Sequence, residues 1–124
     1  MRSVLIVDDS PTIRRMVRTS LSELPGAAFV EASNGLEALE KLALGPVGMM
    51  VLDLNMPDMH GIDVLRFVRS HEGYRDLPVI VLTTRGDARS RDTALDAGAT
   101  VYLTKPFAPA ALATHARQLL HVEG

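Results

Sequence analysis

The chain of 124 residues has no cysteine and no tryptophan, and aromatic residues of all kinds make up only 4% of it. Without cysteine there is no disulfide scaffold, no thiolate metal site and no thiol nucleophile. An excess of charge is missing too: 13 Lys+Arg stand against 15 Asp+Glu, a formal net charge of −2. A surface so balanced does not attract nucleic acid by general electrostatics. Long apolar runs are also missing. The run nearest the N-terminus, Val4–Val7, is cut off by Asp8 and Asp9, whereas a secretory signal needs about 7–15 apolar residues and a membrane span about 20. These absences predict a protein that stays in the cytoplasm where it is made, with no membrane insertion and no direct nucleic-acid partner.

What is present is ordinary for a globular protein: 47% hydrophobic and 23% charged residues in a length that buries one core. A single domain over residues 1–124 is expected. Short apolar runs at Val4–Val7, Met49–Leu54, Val79–Leu82 and Val101–Leu103, with a weaker one around Ala28–Val30, have the length and β-branched content of buried strands. Segments of helical spacing lie between them. Ile13, Met16, Val17, Leu21 and Leu24 fall on one face of a first helix, started by Ser10-Pro11 and stopped at Pro25-Gly26. Asn34 with Glu37 reads as a capping-box variant opening a second helix that ends at Gly45-Pro46. The third is expected over Gly61–Ser70, the fourth near Asp87–Ala97 with a stop at Gly98, and the fifth after Pro109. Strands alternating with helices, and reading as solid apolar runs, predict a doubly wound α/β domain with a parallel sheet covered on both faces.

The polar residues fall where such a sheet binds ligands, outside the carboxyl ends of its strands. Asp8-Asp9 follows the first strand, Asp53 closes the third, Thr83-Thr84 ends the fourth and Lys105 follows the fifth. Only the second ends blandly, at Ser33. Crowded carboxylates repel one another, and a divalent cation relieves them. Oxygen ligands without His or Cys suit a hard ion such as Mg²⁺. Lys105 adds a compact positive charge and Thr83 a hydroxyl donor, both suited to an oxyanion. A carboxylate beside a metal can attack phosphorus, so the assembled rim reads as a site for a phosphoryl group carried on a carboxylate. Any one Asp at a strand end is more often a cap or turn residue; the set on separate strand ends is not well explained that way.

Val4-Leu5-Ile6-Val7-Asp8-Asp9-Ser10, then Asp53-Leu54-Asn55-Met56-Pro57 with Gly61, then Leu82-Thr83-Thr84, then Lys105-Pro106-Phe107, together resemble the receiver domain of two-component response regulators, of the stand-alone CheY-like chemotaxis type. The resemblance spans essentially the whole chain. It implies a (βα)5 flavodoxin-like fold with strand order 2-1-3-4-5. It implies that Asp53 accepts a phosphoryl group from the phosphohistidine of a histidine kinase. Mg²⁺ would be held by Asp9, Asp53 and the main-chain carbonyl of Asn55, with Asp8 acting largely through water. Lys105 and Thr83 would each bind a phosphoryl oxygen, Tyr102 would swing inward as Thr83 moves, and the Lys105–Pro106 bond would be cis. The output would be a changed face of fourth helix, fifth strand and fifth helix, presented to a downstream protein partner. On this reading the chain is no enzyme beyond its own phosphorylation and dephosphorylation, and it has no output domain. The alternatives are a phosphorelay intermediate that passes the group on, an aspartyl-nucleophile phosphohydrolase, and a flavodoxin-like binding protein. The hydrolase class requires an acid where Asn55 stands, and the binding protein lacks a Gly-rich phosphate loop after the first strand.

The remaining residues read more plainly. Met49 and Met50 are expected in the core, and Tyr102 on the sheet face opposite Val101 and Leu103. Arg89 and Arg91 are read as solvated surface, whereas Arg85 and Asn55 flank the phosphorylation site in this family and influence the phosphoryl lifetime. His60, His71, His115 and His121 lack metal-ligand spacing. The Ala-rich fifth helix is taken as a plain helix of small residues.

Overall fold

The computed structural model describes residues 2–56, 59–84 and 88–121. Five strands, β1 (Arg2–Val7), β2 (Ala27–Ala32), β3 (Met49–Asp53), β4 (Val79–Thr83) and β5 (Val101–Thr104), alternate with helices α1 (Pro11–Ser20), α2 (Gly35–Leu44), α3 (Gly61–Ser70), α4 (Ala88–Asp96) and α5 (Pro109–Leu119). All pairings are parallel, in the order β2-β1-β3-β4-β5. The doubly wound (βα)5 fold is therefore observed, with the strand order that the receiver resemblance implies.

Side chains alternate across each strand, and this sorts the core into two layers. Leu5, Val7, Met50, Leu52, Val79 and Val81 face Ala38, Leu42, Val64, Leu65, Val68 and Ala94 of α2, α3 and α4. Val4, Ile6, Met49, Val51, Ile80 and Leu82 face Val17 of α1 and Leu112, Ala113 and Ala116 of α5. Strands β1, β3 and β4 are buried on both sides, which is why they read as unbroken apolar runs. Each fully buried Leu, Ile, Val or Met contributes about 1.5–3 kcal/mol relative to an exposed one. Ala113 and Ala116 let α5 lie close, so the Ala-rich helix packs as small residues pack.

The caps follow the sequence signals with one shift. Ser10 Oγ accepts from the Ile13 amide, and Asn34 Oδ1 accepts from the Glu37 amide. Glu37 returns its bonds to Ser33, one residue before the cap, taking both its amide and its hydroxyl at 3.0 Å. Helix α1 ends at Ser20 and not at Pro25. The Ser20 hydroxyl donates to the Met16 carbonyl and the Ser22 hydroxyl to the Thr19 carbonyl, competing with the ladder, while Leu21 and Leu24 stay buried in a turn. At the other end of the sheet, Arg69 of α3 donates to the carbonyls of Gly98, Arg75 and Leu77 and to Thr100 Oγ1, tying the loops before β4 and β5 together.

Candidate functional site

In this strand order the chain leaves β1 toward β2 and returns to β3 on the far side of β1. The crevice where the winding reverses lies at the carboxyl ends of β1 and β3. Asp8 stands there just past Val7, and Asp53 is the last residue of β3. Both are 1% exposed. Every polar group of Asp8 is engaged. Its amide donates to the Ala32 carbonyl at 3.1 Å, its carbonyl accepts from Arg14 Nη1 at 2.6 Å, Oδ1 accepts from the Ser10 amide at 2.9 Å and Oδ2 pairs with Lys105 Nζ at 2.8 Å. Asp53 is half satisfied. Its Oδ1 accepts from the Asn55 amide at 2.9 Å and lies 3.1 Å from Lys105 Nζ, whereas its Oδ2 is buried without a hydrogen-bond partner among the described residues.

Burial pushes the Asp8 carboxyl above its ordinary pKa; hydrogen bonds from Lys105 and the Ser10 amide pull the other way, and the Asp53 charge adds to the rise. For Lys105, burial works to lower the pKa, but the hydrogen bonds and charges of Asp8 and Asp53 outweigh it, and the net shift is upward. The ammonium therefore stays charged between the two carboxylates.

The residues present fit a divalent cation. Asp8, Asp9 and Asp53 can each offer one carboxylate oxygen, all within 4.8 Å of one another. Asp9 is exposed, which leaves an approach from solvent. A buried acceptor with no donor, Asp53 Oδ2, is the kind of group that natural structures leave only where something else satisfies it. All-oxygen ligands select Mg²⁺ or a similar hard ion over softer metals.

Thr83 and Asn55 complete the rim. Thr83, also 1% exposed, donates its hydroxyl to Asn55 Oδ1 at 3.1 Å, and Thr84 donates its amide to the same oxygen at 3.3 Å. Tyr102 pairs with Val81 across the β4–β5 ladder and packs on the α2–α4 side, while Val101 and Leu103 pack on the other. By strand parity Thr83 shares the face of Val79 and Val81, so Tyr102 and Thr83 are diagonal neighbours on one side of the sheet. The Lys105–Pro106 bond is cis. Gly61 opens α3 directly against the end of β3: a Cβ there would collide with the Asp53 carbonyl and come within 2.7 Å of Leu54 Cα.

Comparison with known proteins agrees with this layout. The family model for the response regulator receiver domain matches residues 4–117. The chain belongs to that family. The chemotaxis protein CheY1 of Helicobacter pylori is 42% identical over 110 residues, 88% of this chain and 89% of the relative. Chemotaxis protein CheY4 of Vibrio cholerae superposes with a TM-score of 0.87 at 35% identity, over 97% of this receiver and 99% of that chain. Response regulator TrrA of Thermotoga maritima, solved in complex with Mg²⁺-BeF, gives a TM-score of 0.83 at 33% identity, over 97% of this receiver and all of that chain (100%). The receiver is thus a two-component signalling domain with chemotaxis regulators among its relatives. No helix among the described residues is long and apolar enough to cross a membrane.

The structure brings Asp8, Asp9, Asp53, Asn55, Thr83 and Lys105 to one rim, with Tyr102 behind it. Arg85 and the expected start of α4 at Asp87, with Pro57 of the Asp53–Pro57 motif, lie outside the described residues. His60 caps α3 from an exposed position without a side-chain bond to the helix. Arg14 and Glu31 escaped the reading of the sequence. Arg14 reaches a main-chain oxygen, which carries no sequence signal, and the spacing of Arg14 and Arg18 one turn apart is the only trace of their shared partner.

Proposed function

We propose that this receiver is a phosphorylation-driven switch whose phosphoacceptor is Asp53. The state of that side chain carries the reading: one oxygen is held by the Asn55 amide and Lys105, and the other is buried with its lone pairs free of any donor among the described residues. An Asp53 oxygen forms a bond to phosphorus as the phosphorus–nitrogen bond of a kinase phosphohistidine breaks, and the imidazole nitrogen keeps that electron pair. Asp9, Asp53 and the Asn55 carbonyl would hold Mg²⁺, with Asp8 acting largely through water, and the ion would supply charge neutralisation for the phosphoryl oxygens. Lys105 engages Asp8 and Asp53 with two of its three donors, and the third serves a phosphoryl oxygen. The Thr83 hydroxyl exchanges Asn55 for another phosphoryl oxygen. Tyr102, on the same sheet face, follows and alters the surface of α4, β5 and α5.

The switch catalyses only its own phosphorylation and dephosphorylation, works in the cytoplasm, and passes its signal to a protein partner. The names of its relatives point to a chemotaxis pathway. A phosphohydrolase fits less well, because Asn55 occupies the position where that class needs an acid and its Oδ1 already accepts from Thr83 and Thr84. The test is incubation with Mg²⁺ and acetyl phosphate followed by intact-mass measurement beside Asp53→Asn. A phosphate-sized gain in the parent, absent in the variant, is expected. An equal gain in Asp53→Asn, or no gain in a parent shown to bind Mg²⁺, refutes the assignment; continuous fast release of phosphate favours the hydrolase.

A further inference from the structure

Arg14 takes no part in the chemistry above, yet it reaches into the loop that carries two of the three carboxylates. Its Nη1 donates to the Asp8 carbonyl at 2.6 Å, and its Nε donates to Glu31 Oε1 on β2 at 2.9 Å. Arg18, one turn along α1, holds the second Glu31 oxygen at 2.8 Å. The Arg14 side chain is 16% exposed. A guanidinium presents its donors in a fixed planar fork, so a bond through Nε to Glu31 also determines where Nη1 sits. The Asp8 carbonyl shares one rigid peptide plane with the Asp9 amide. Holding that oxygen therefore sets the plane from which Asp9 projects. Asp9 needs such a setting, because its exposed carboxylate makes no hydrogen bond or ion pair of its own among the described residues.

We propose that Arg14 is a positioning residue for the acidic pocket: it clamps the Asp8–Asp9 peptide to Glu31 and so holds two carboxylates at the spacing a divalent cation requires. The inference rests on the Mg²⁺-dependent switch proposed above. The direction of the effect separates positioning from charge. A cationic side chain beside an acidic pocket repels Mg²⁺, so charge alone makes Arg14→Met bind Mg²⁺ more tightly. Positioning makes it bind more weakly, by about tenfold, the lower end of the range for groups that orient metal ligands from outside, since Arg14 acts through the main chain. Arg14→Lys keeps the charge and loses the fork. Charge alone leaves its affinity unchanged, whereas positioning gives a loss between those of the parent and Arg14→Met.

The experiment is a titration of the full chain with MgCl₂ followed by NMR through the amides of Ser10 and Asn55, which bond directly to the Asp8 and Asp53 carboxylates. Tyr74→Phe, which removes a hydroxyl bond to the Leu42 carbonyl at the opposite end of the sheet, controls for general destabilisation. Weaker Mg²⁺ binding in both Arg14 variants, with parental affinity in Tyr74→Phe, upholds the role. Tighter or unchanged binding in Arg14→Met, parental binding in Arg14→Lys, or an equal loss in Tyr74→Phe overturns it. Intact mass after acetyl phosphate, read on the same samples, tests the switch separately. A parent that titrates with Mg²⁺ but gains no phosphate removes the switch and leaves the Arg14 result to be judged on affinity; a parent that binds no Mg²⁺ overturns both.

Discussion

Replacing Lys105 with methionine removes the ammonium that lies 2.8 Å from Asp8 Oδ2 and 3.1 Å from Asp53 Oδ1. At an effective dielectric of about 20, each contact is worth roughly 5–6 kcal/mol of gross attraction, but desolvation of the three groups takes most of this back. Deleting one partner of a buried pair costs about 3–5 kcal/mol, because the remaining charge is left uncompensated. Lys105 keeps 12% of its side chain exposed, and Asp8, whose pKa is already raised, can relieve the strain by taking a proton. Both place the cost at the lower end, about 3 kcal/mol. For a domain of this size that corresponds to a fall of about 12 °C in Tm. The assay is thermal unfolding by circular dichroism in the presence of a chelator. Asp8→Asn on the same background removes the carboxylate that Lys105 no longer balances, so the double variant should be more stable than the sum of the single effects by about 2 kcal/mol. Added Mg²⁺ should recover more of the loss in Lys105→Met than it adds to the parent. A drop under about 3 °C, or strict additivity in the cycle, refutes the view that a buried charge balance holds this rim together.

Gly61→Ala sets a methyl group against the Asp53 carbonyl and Leu54 Cα, backbone atoms that cannot rotate away; about 3 kcal/mol of destabilisation and slower phosphoryl uptake are expected, and a parental Tm refutes the close-approach explanation. Glu37 accepts the Ser33 amide and hydroxyl, in that order of importance, which lowers its carboxyl pKa below the usual 4.5. Its contribution is therefore present above 4.5 and fades as pH falls through the lowered value. The Tm gap between parent and Glu37→Gln should be widest near neutrality and close as pH falls through the lowered value; a gap independent of pH refutes the bond pattern.

Much of this was legible because the fold uses simple periods. Strands buried on both faces must be apolar at every position, so Val4–Val7 and Val79–Leu82 announce themselves, and the first polar residue after each marks the rim. The ends of elements were less legible where side chains compete with the main chain. Nothing in the spacing of Leu21 and Leu24 says that α1 stops at Ser20, because both stay buried in the turn that follows. The strand order came with the receiver resemblance, since alternation alone fits several parallel orders.

The placement of Thr83 and Tyr102 shows how far periodicity can reach into the site. Tyr102 alternates with Val101 and Leu103, so its side of the sheet was fixed by parity, and the register Val81↔Tyr102 then sets it diagonally beside Thr83. No comparable rule exists for Asp8, whose carbonyl, amide and two carboxylate oxygens are held by Arg14, Ala32, Ser10 and Lys105, from α1 and its cap, the end of β2 and the loop after β5. Two of those partners act through their main chain and one grips the main chain of Asp8, so their side-chain identities carry little of the information. A sequence announces which groups collect at the strand ends. How tightly each is held there depends on contacts that only the folded backbone creates, and for this reason Arg14 could be found only once α1, β1 and β2 were in place.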